Sequence, residues 1–136
     1  FKHKTVMNES QLWSKINLFQ KPKKMWHFCR IESATIRGIP DVNCLIEGKE
    51  FWLELKCNDA KNYGLSKFQI NWHLKRHKAG GKSFILHLAP KQRELKLLVI
   101  REPNSVIPVS RLKINGSMSS IVKEILVLAG ARCTEA

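Results

Sequence analysis

Gly38-Ile39-Pro40-Asp41-Val42, followed after a short turn by Trp52-Leu53-Glu54-Leu55-Lys56, is the stretch that decides how this chain folds. The first run puts an aspartate at the head of an apolar strand. The second carries a glutamate and a lysine two residues apart, and side chains two apart on a strand share a face. Glu47-Gly48-Lys49 lies between the runs and reads as a hairpin turn. Pairing the two strands gathers Asp41, Glu54 and Lys56. Two carboxylates and an ammonium on one sheet face are costly to bring together unless they hold a hard cation against a phosphate.

The flanking sequence places this hairpin in a mixed sheet. Asn8 caps a helix from Glu9 to about Phe19, with Gln11 at the capping-box position and an apolar stripe of Leu12, Trp13, Ile16 and Phe19. Lys21-Pro22-Lys23-Lys24 ends it. Met25 to Glu32 reads as a strand and Ser33 to Ile39 as a loop. Asp41 to Ile46 and Phe51 to Lys56 form the hairpin, with Phe51, Leu53 and Leu55 pointing one way and Trp52, Glu54 and Lys56 the other. After a polar loop from Asn58 to Leu65, Ser66 caps a second helix, again with a glutamine, Gln69, three residues on. That helix reaches Lys78 and stops at Gly80-Gly81. Ser83 to Leu88 reads as a fourth strand, Glu94 to Arg101 as a fifth, and Ser119 to Leu128 as a last helix ended by Gly130. A helix between the third and fourth strands is a crossover, so that pair should be parallel. The expected class is α/β: a mixed central sheet with helices on both faces.

The chain of 136 residues is long enough for one domain with a real core, and its 43% hydrophobic content argues against global disorder. We expect a core over about 9–88 and a C-terminal extension over about 89–136. The net charge of +13 favours polyanionic partners. No apolar run approaches the ~20 residues that span a bilayer. Phe1 to Asn8 lacks the apolar centre of a secretion signal, and the opening at Phe1 reads as a trimmed start. Cys29, Cys44, Cys57 and Cys133 form no C-x-x-C pair. They read as free thiols of a reducing, intracellular compartment, with a zinc site using Cys57 and a histidine as the rival.

Pro40-Asp41 with Glu54-Leu55-Lys56 resembles the signature of the PD-(D/E)xK nuclease superfamily. The run Arg30-Ile31-Glu32 to Gly38-Ile39-Pro40-Asp41, then Glu54-Leu55-Lys56, then Ser66 with Gln69, looks most like the virus-type replication–repair nucleases. Those are small enzymes related to the archaeal Holliday-junction resolvases. The resemblance covers Glu9 to about Leu88 and leaves the tail unassigned. It implies an αβββαβ restriction-endonuclease-like core. It also implies that Asp41, Glu54 and the Leu55 carbonyl ligate Mg2+ or Mn2+, and that Lys56 orients or activates the attacking water. Gln69 would support the lysine or the metal-bound water. The further carboxylate of the opening helix would be Glu9, with Glu32 as its rival.

Each of these residues has a plainer role open to it. Asp41 could only open a strand. Glu54 and Lys56 could be an exposed ion pair, worth under ~1 kcal/mol. Gln69 could only complete the cap of Ser66. His73 and His77 lack an evident third metal ligand and fit a basic helix side shared with Gln69, Arg76 and Lys78. Phe68, Trp72, Trp26 and Phe28 read as core. Arg30, Arg37, Lys61, Lys67, Arg76 and Lys82 are the cations expected near the metal face, where they would contact phosphates without reading sequence.

The function expected from these residues is a structure-selective DNA endonuclease of recombination, repair or phage replication. The alternatives are a site-specific or homing-type endonuclease on the same fold and a catalytically idle nucleic-acid-binding domain. Cutting two strands symmetrically needs two sites, which suits a C2 homodimer. The tail helix, with Ile121, Val122, Ile125, Leu126 and Leu128, would either supply that interface or pack on its own sheet.

Overall fold

Alternating apolar residues build one sheet with two unequal faces. The computed structural model describes residues 7–33, 35–115 and 117–133. Its elements are α1 (Glu9–Gln20), β1 (Trp26–Arg30), β2 (Val42–Ile46), β3 (Lys49–Cys57), α2 (Lys67–Lys78), β4 (Ser83–Ala89), β5 (Glu94–Glu102), β6 (Ser105–Lys113) and α3 (Met118–Arg132). The six strands lie side by side in chain order. β3 and β4 run parallel, joined by the α2 crossover, and the other neighbours are antiparallel. The expected αβββαβ order and mixed α/β class are present.

Phe51, Leu53 and Leu55 of β3 face a large core shared with Leu12 and Ile16 of α1 and with Val122, Ile125, Leu126 and Ala129 of α3. The other face is covered only in part. There Leu65 and Leu74 pack on Ile85, Leu98 and Ile100. α2 therefore lies over β4 and β5 and leaves the β1–β3 side of that face open. Trp52, Glu54 and Lys56 stand at the border between the covered and the open part.

Two elements depart from expectation. β6 occupies a stretch to which the sequence assigns no element. It pairs with β5 through register shifts at Leu97/Leu98 and Ile100/Glu102, with Pro108 opposite Leu98. α3 continues through Gly130 instead of ending there. A Cβ at position 130 would come within 3.3 Å of Ile46 Cδ1, so this glycine lets the helix sit close on the sheet. Of the two roles open to the tail helix, the structure shows packing on its own sheet: Val122, Ile125 and Leu126 are fully buried there.

Candidate active site

The β2–β3 ladder stops at the pair Val42–Leu53. Beyond it β3 continues without a strand partner on that side, and its next free backbone donor is Leu55 N–H. Asp41 supplies the acceptor: its Oδ2 takes the Leu55 N–H at 2.7 Å. In a strand, the N–H and C=O of one residue point to the same side, so the Leu55 carbonyl opens toward Asp41 as well. The aspartate is thus outside the strand it was expected to head, and it occupies a notch at the strand's mouth.

Glu54 forms the floor of that notch and is 2% exposed. Its Oε2 accepts a hydrogen bond from Gln69 Nε2 at 3.3 Å. Its Oε1 is buried and has no hydrogen-bond partner. Burial pushes the Glu54 pKa up to about 9, helped by the nearby Asp41 carboxyl, which can bond to Glu54 only through a shared proton and otherwise repels it, and by the charge of Glu9, with Lys56 opposing. A carboxylate so placed is short of positive charge. Lys56 shares its face, two residues along β3. Beside Lys56 on β4 stands His87, which burial and the charge of Lys96 keep away from protonation.

Local backbone features hold the notch together. Ser66 and Gln69 form a full capping box at the start of α2, so the first helical turn is fixed where Gln69 meets Glu54. Gly38, at φ +82°, passes directly under that turn; a Cβ there would overlap the Phe68 carbonyl and lie 2.9 Å from the Gln69 nitrogen. Only glycine allows this approach. The 35–40 loop is thereby docked on α2, and Asp41 is delivered to Glu54.

Of the rival carboxylates, Glu9 is the one whose charge reaches Glu54, and it also acts on Cys57. Glu32 is exposed just past β1 and exerts no such effect on Glu54. Among the described residues no three His, Cys, Asp or Glu side chains close into a metal-holding group. The oxygens that lie together at the notch are those of Asp41, Glu54 and the Leu55 carbonyl, and the charge of Glu9 acts on Glu54. One buried carboxylate oxygen lacks a partner. Such a donor set fits a hard cation such as Mg2+ or Mn2+ and does not suit zinc. The four cysteines are free thiols.

The expected cations divide between the two faces. The Arg37 guanidinium and the Lys67 ammonium lie 5.1 and 5.6 Å from the centre of the Phe68 ring. Arg76 sits over Trp72 at 4.5 Å and over Trp52 at 5.5 Å. Lys61 is exposed on the loop that leaves β3. Arg30 and Lys82 do not belong with them. Arg30 pairs with Val42 and follows the alternation of Phe28, which places it on the α1/α3 face. Lys82 precedes Ser83, the partner of Trp52, and its charge acts on Cys133 at the end of α3. A small cavity of about 40 Å³ beside Lys82, His77 and Arg132 lies at that far end and does not touch the carboxylates.

Two further expectations are corrected. His73 is fully buried, with Nδ1 2.7 Å from Ser83 Oγ, so it is not on a DNA-facing side; burial pulls its pKa down to about 4. Phe68 is not core: it is 40% exposed at the notch. Helical spacing alone could not separate it from Leu74, but the adjoining Lys67 was a usable signal of a surface turn.

No protein-family model matches this chain, and no curated protein matches it. A solved structure to which it is similar is a "putative nuclease belonging to DUF820" from Anabaena variabilis. The two are 10% identical with a TM-score of 0.40, over 89% of this chain and 79% of that one. A likeness that distant carries no functional argument. No helix among the described residues is long and apolar enough to cross a membrane.

Proposed function

We propose that this protein is a divalent-metal-dependent nuclease that hydrolyses phosphodiester bonds in DNA, with a preference for branched substrates. The observation that carries the reading is the buried, partnerless Oε1 of Glu54 beside Asp41, in a chain of net charge +13. Asp41, Glu54 and the Leu55 carbonyl would hold Mg2+ or Mn2+. That ion supplies positive charge at a phosphoryl oxygen and lowers the pKa of bound water.

The chain's own residues do the rest. Gln69 fixes one Glu54 oxygen and leaves the other free to ligate. Asp41 is held by the Leu55 amide, so its second oxygen faces the notch. Lys56, half-buried on the Glu54 face, positions the attacking water and offsets charge that grows on the phosphate in the transition state. Arg37, Lys61, Lys67 and Arg76 anchor phosphates from the rim. The residues after Leu88 are spent on β5, β6 and α3, which complete the sheet and its core. An intact Asp41, Glu54 and Lys56 constellation favours an enzyme over an idle binding domain. Two copies related by a C2 axis would present two notches to opposed strands of a junction.

The test is a cleavage panel of matched linear, flapped and four-way DNA, plus a sequence-randomised duplex pool, in Mg2+ and Mn2+. Branched substrates should be cut first, and chelator should stop the reaction. Lys56→Ala should slow single turnovers by orders of magnitude with little change in affinity. Enrichment of one linear sequence with no preference for branches would refute the structure-selective reading, and full activity in excess chelator would refute the metal.

A further inference from the structure

We propose that Phe68, with Arg37 and Lys67, forms a stacking platform for an unpaired nucleobase at the mouth of the notch. The inference deepens the reading above, since it takes the ligand to be a nucleic-acid strand. Phe68 is 40% exposed on the first turn of α2, outside both cores. Two cations lie within 6 Å of its ring. The next residue, Gln69, touches Glu54. A part-exposed ring flanked by an arginine and a lysine matches a base with a phosphate on either side, the cations turning outward to the phosphates as the base takes the ring.

The ring does touch the neighbouring loop, through the Arg37 guanidinium, but the loop does not depend on it: Gly38 docks the same loop through backbone contact with the Phe68 carbonyl, which any residue at 68 would offer. One helical turn on, Trp72 continues the same ridge under Arg76. The ridge therefore alternates ring and cation along α2, away from the carboxylates.

Bases in a duplex have both faces stacked, so the platform serves only strands with unpaired nucleotides. The substrate class it selects is DNA carrying a single-stranded segment: a flap, a fork or an opened crossover.

Binding is measured by fluorescence anisotropy in chelator at low salt, with labelled oligothymidylate and a blunt duplex of equal length. Cleavage is not needed, so failure of the metal chemistry leaves the result readable. Phe68→Leu should weaken oligothymidylate binding about tenfold, the effect of one lost stack. Duplex binding should stay unchanged, which also shows that the variant is folded. Phe68→Trp should restore the oligothymidylate affinity. Equal losses on both probes, or no loss on either, would overturn the platform. If the wild-type chain holds the duplex but not oligothymidylate, the platform alone falls. If it holds neither, the nucleic-acid reading falls with it.

Discussion

The helices α1 and α2 begin with the same device put to different ends. Asn8 and Gln11 exchange two hydrogen bonds of 2.9 Å at the start of α1. Ser66 and Gln69 do the same at the start of α2, at 2.8 and 3.2 Å. Each glutamine accepts a backbone N–H through Oε1, which leaves its amide nitrogen over. At α2 that nitrogen meets Glu54; the box of α1 lies on the exposed surface. A glutamate at the third helical position makes an equally good capping box. At α2 it would add a negative charge to a pocket that already holds Asp41 and Glu54. The cap motif itself is local, and what its spare donor reaches is decided by the rest of the fold.

The largest effect is expected at the target of that donor. Glu54→Gln should lower cleavage roughly a thousandfold or more, because a neutral amide cannot replace a metal-binding carboxylate. Quenched single-turnover assays with saturating Mn2+ check it. Gln69→Glu keeps the box but sets a like charge against Glu54. Activity should fall roughly a hundredfold and the metal requirement should rise, whereas Gln11→Glu should leave both unchanged. A titration of rate against metal separates the two.

The same carboxylate should leave a mark on stability. Glu54 in the metal-free fold has its pKa raised from 4.5 to about 9. The folded state therefore binds a proton that the unfolded state gives up. Its stabilising contribution is full below pH 4.5 and is lost as pH rises toward 9. His73 has the opposite sign: lowered from 6.5 to about 4, it costs stability as pH falls below 6.5. Thermal melts of the metal-free protein should lose their alkaline slope in Glu54→Gln and keep their acid slope. Mg2+ should oppose the alkaline loss in the wild-type chain only. The smallest effect is at the plain cap, where Gln11→Ala should cost about 0.5 kcal/mol in denaturant melts and nothing in rate.

What could be read from the chain was whatever short-range rules govern. Both capping boxes, the 42–57 hairpin and the parallel crossover follow from spacing, and the hairpin brings Asp41 to Glu54. Glu9 and Glu32 could not be separated, since only the docking of α1 on β3 decides which carboxylate lies near the notch. Arg30 and Lys82 went to the wrong face because strand side chains alternate, so one residue of register reverses them. Phe68 read as core because α2 turns Leu74 and His73 inward, and that rotation is set by tertiary packing. β6 was hidden by Pro108, a residue that is tolerated in a sheet only at an edge or a bulge.

That proline also protects the molecule from its own sheet. An outer strand presents a row of unsatisfied backbone groups on which another chain can polymerise. β6 lacks the Pro108 donor, is bent by two register shifts and carries Arg111 and Lys113 near its end. At the opposite margin β1 is only five residues long. Neither border is a good template for a seventh strand, so a chain this rich in apolar strands is guarded against growing into cross-β aggregates.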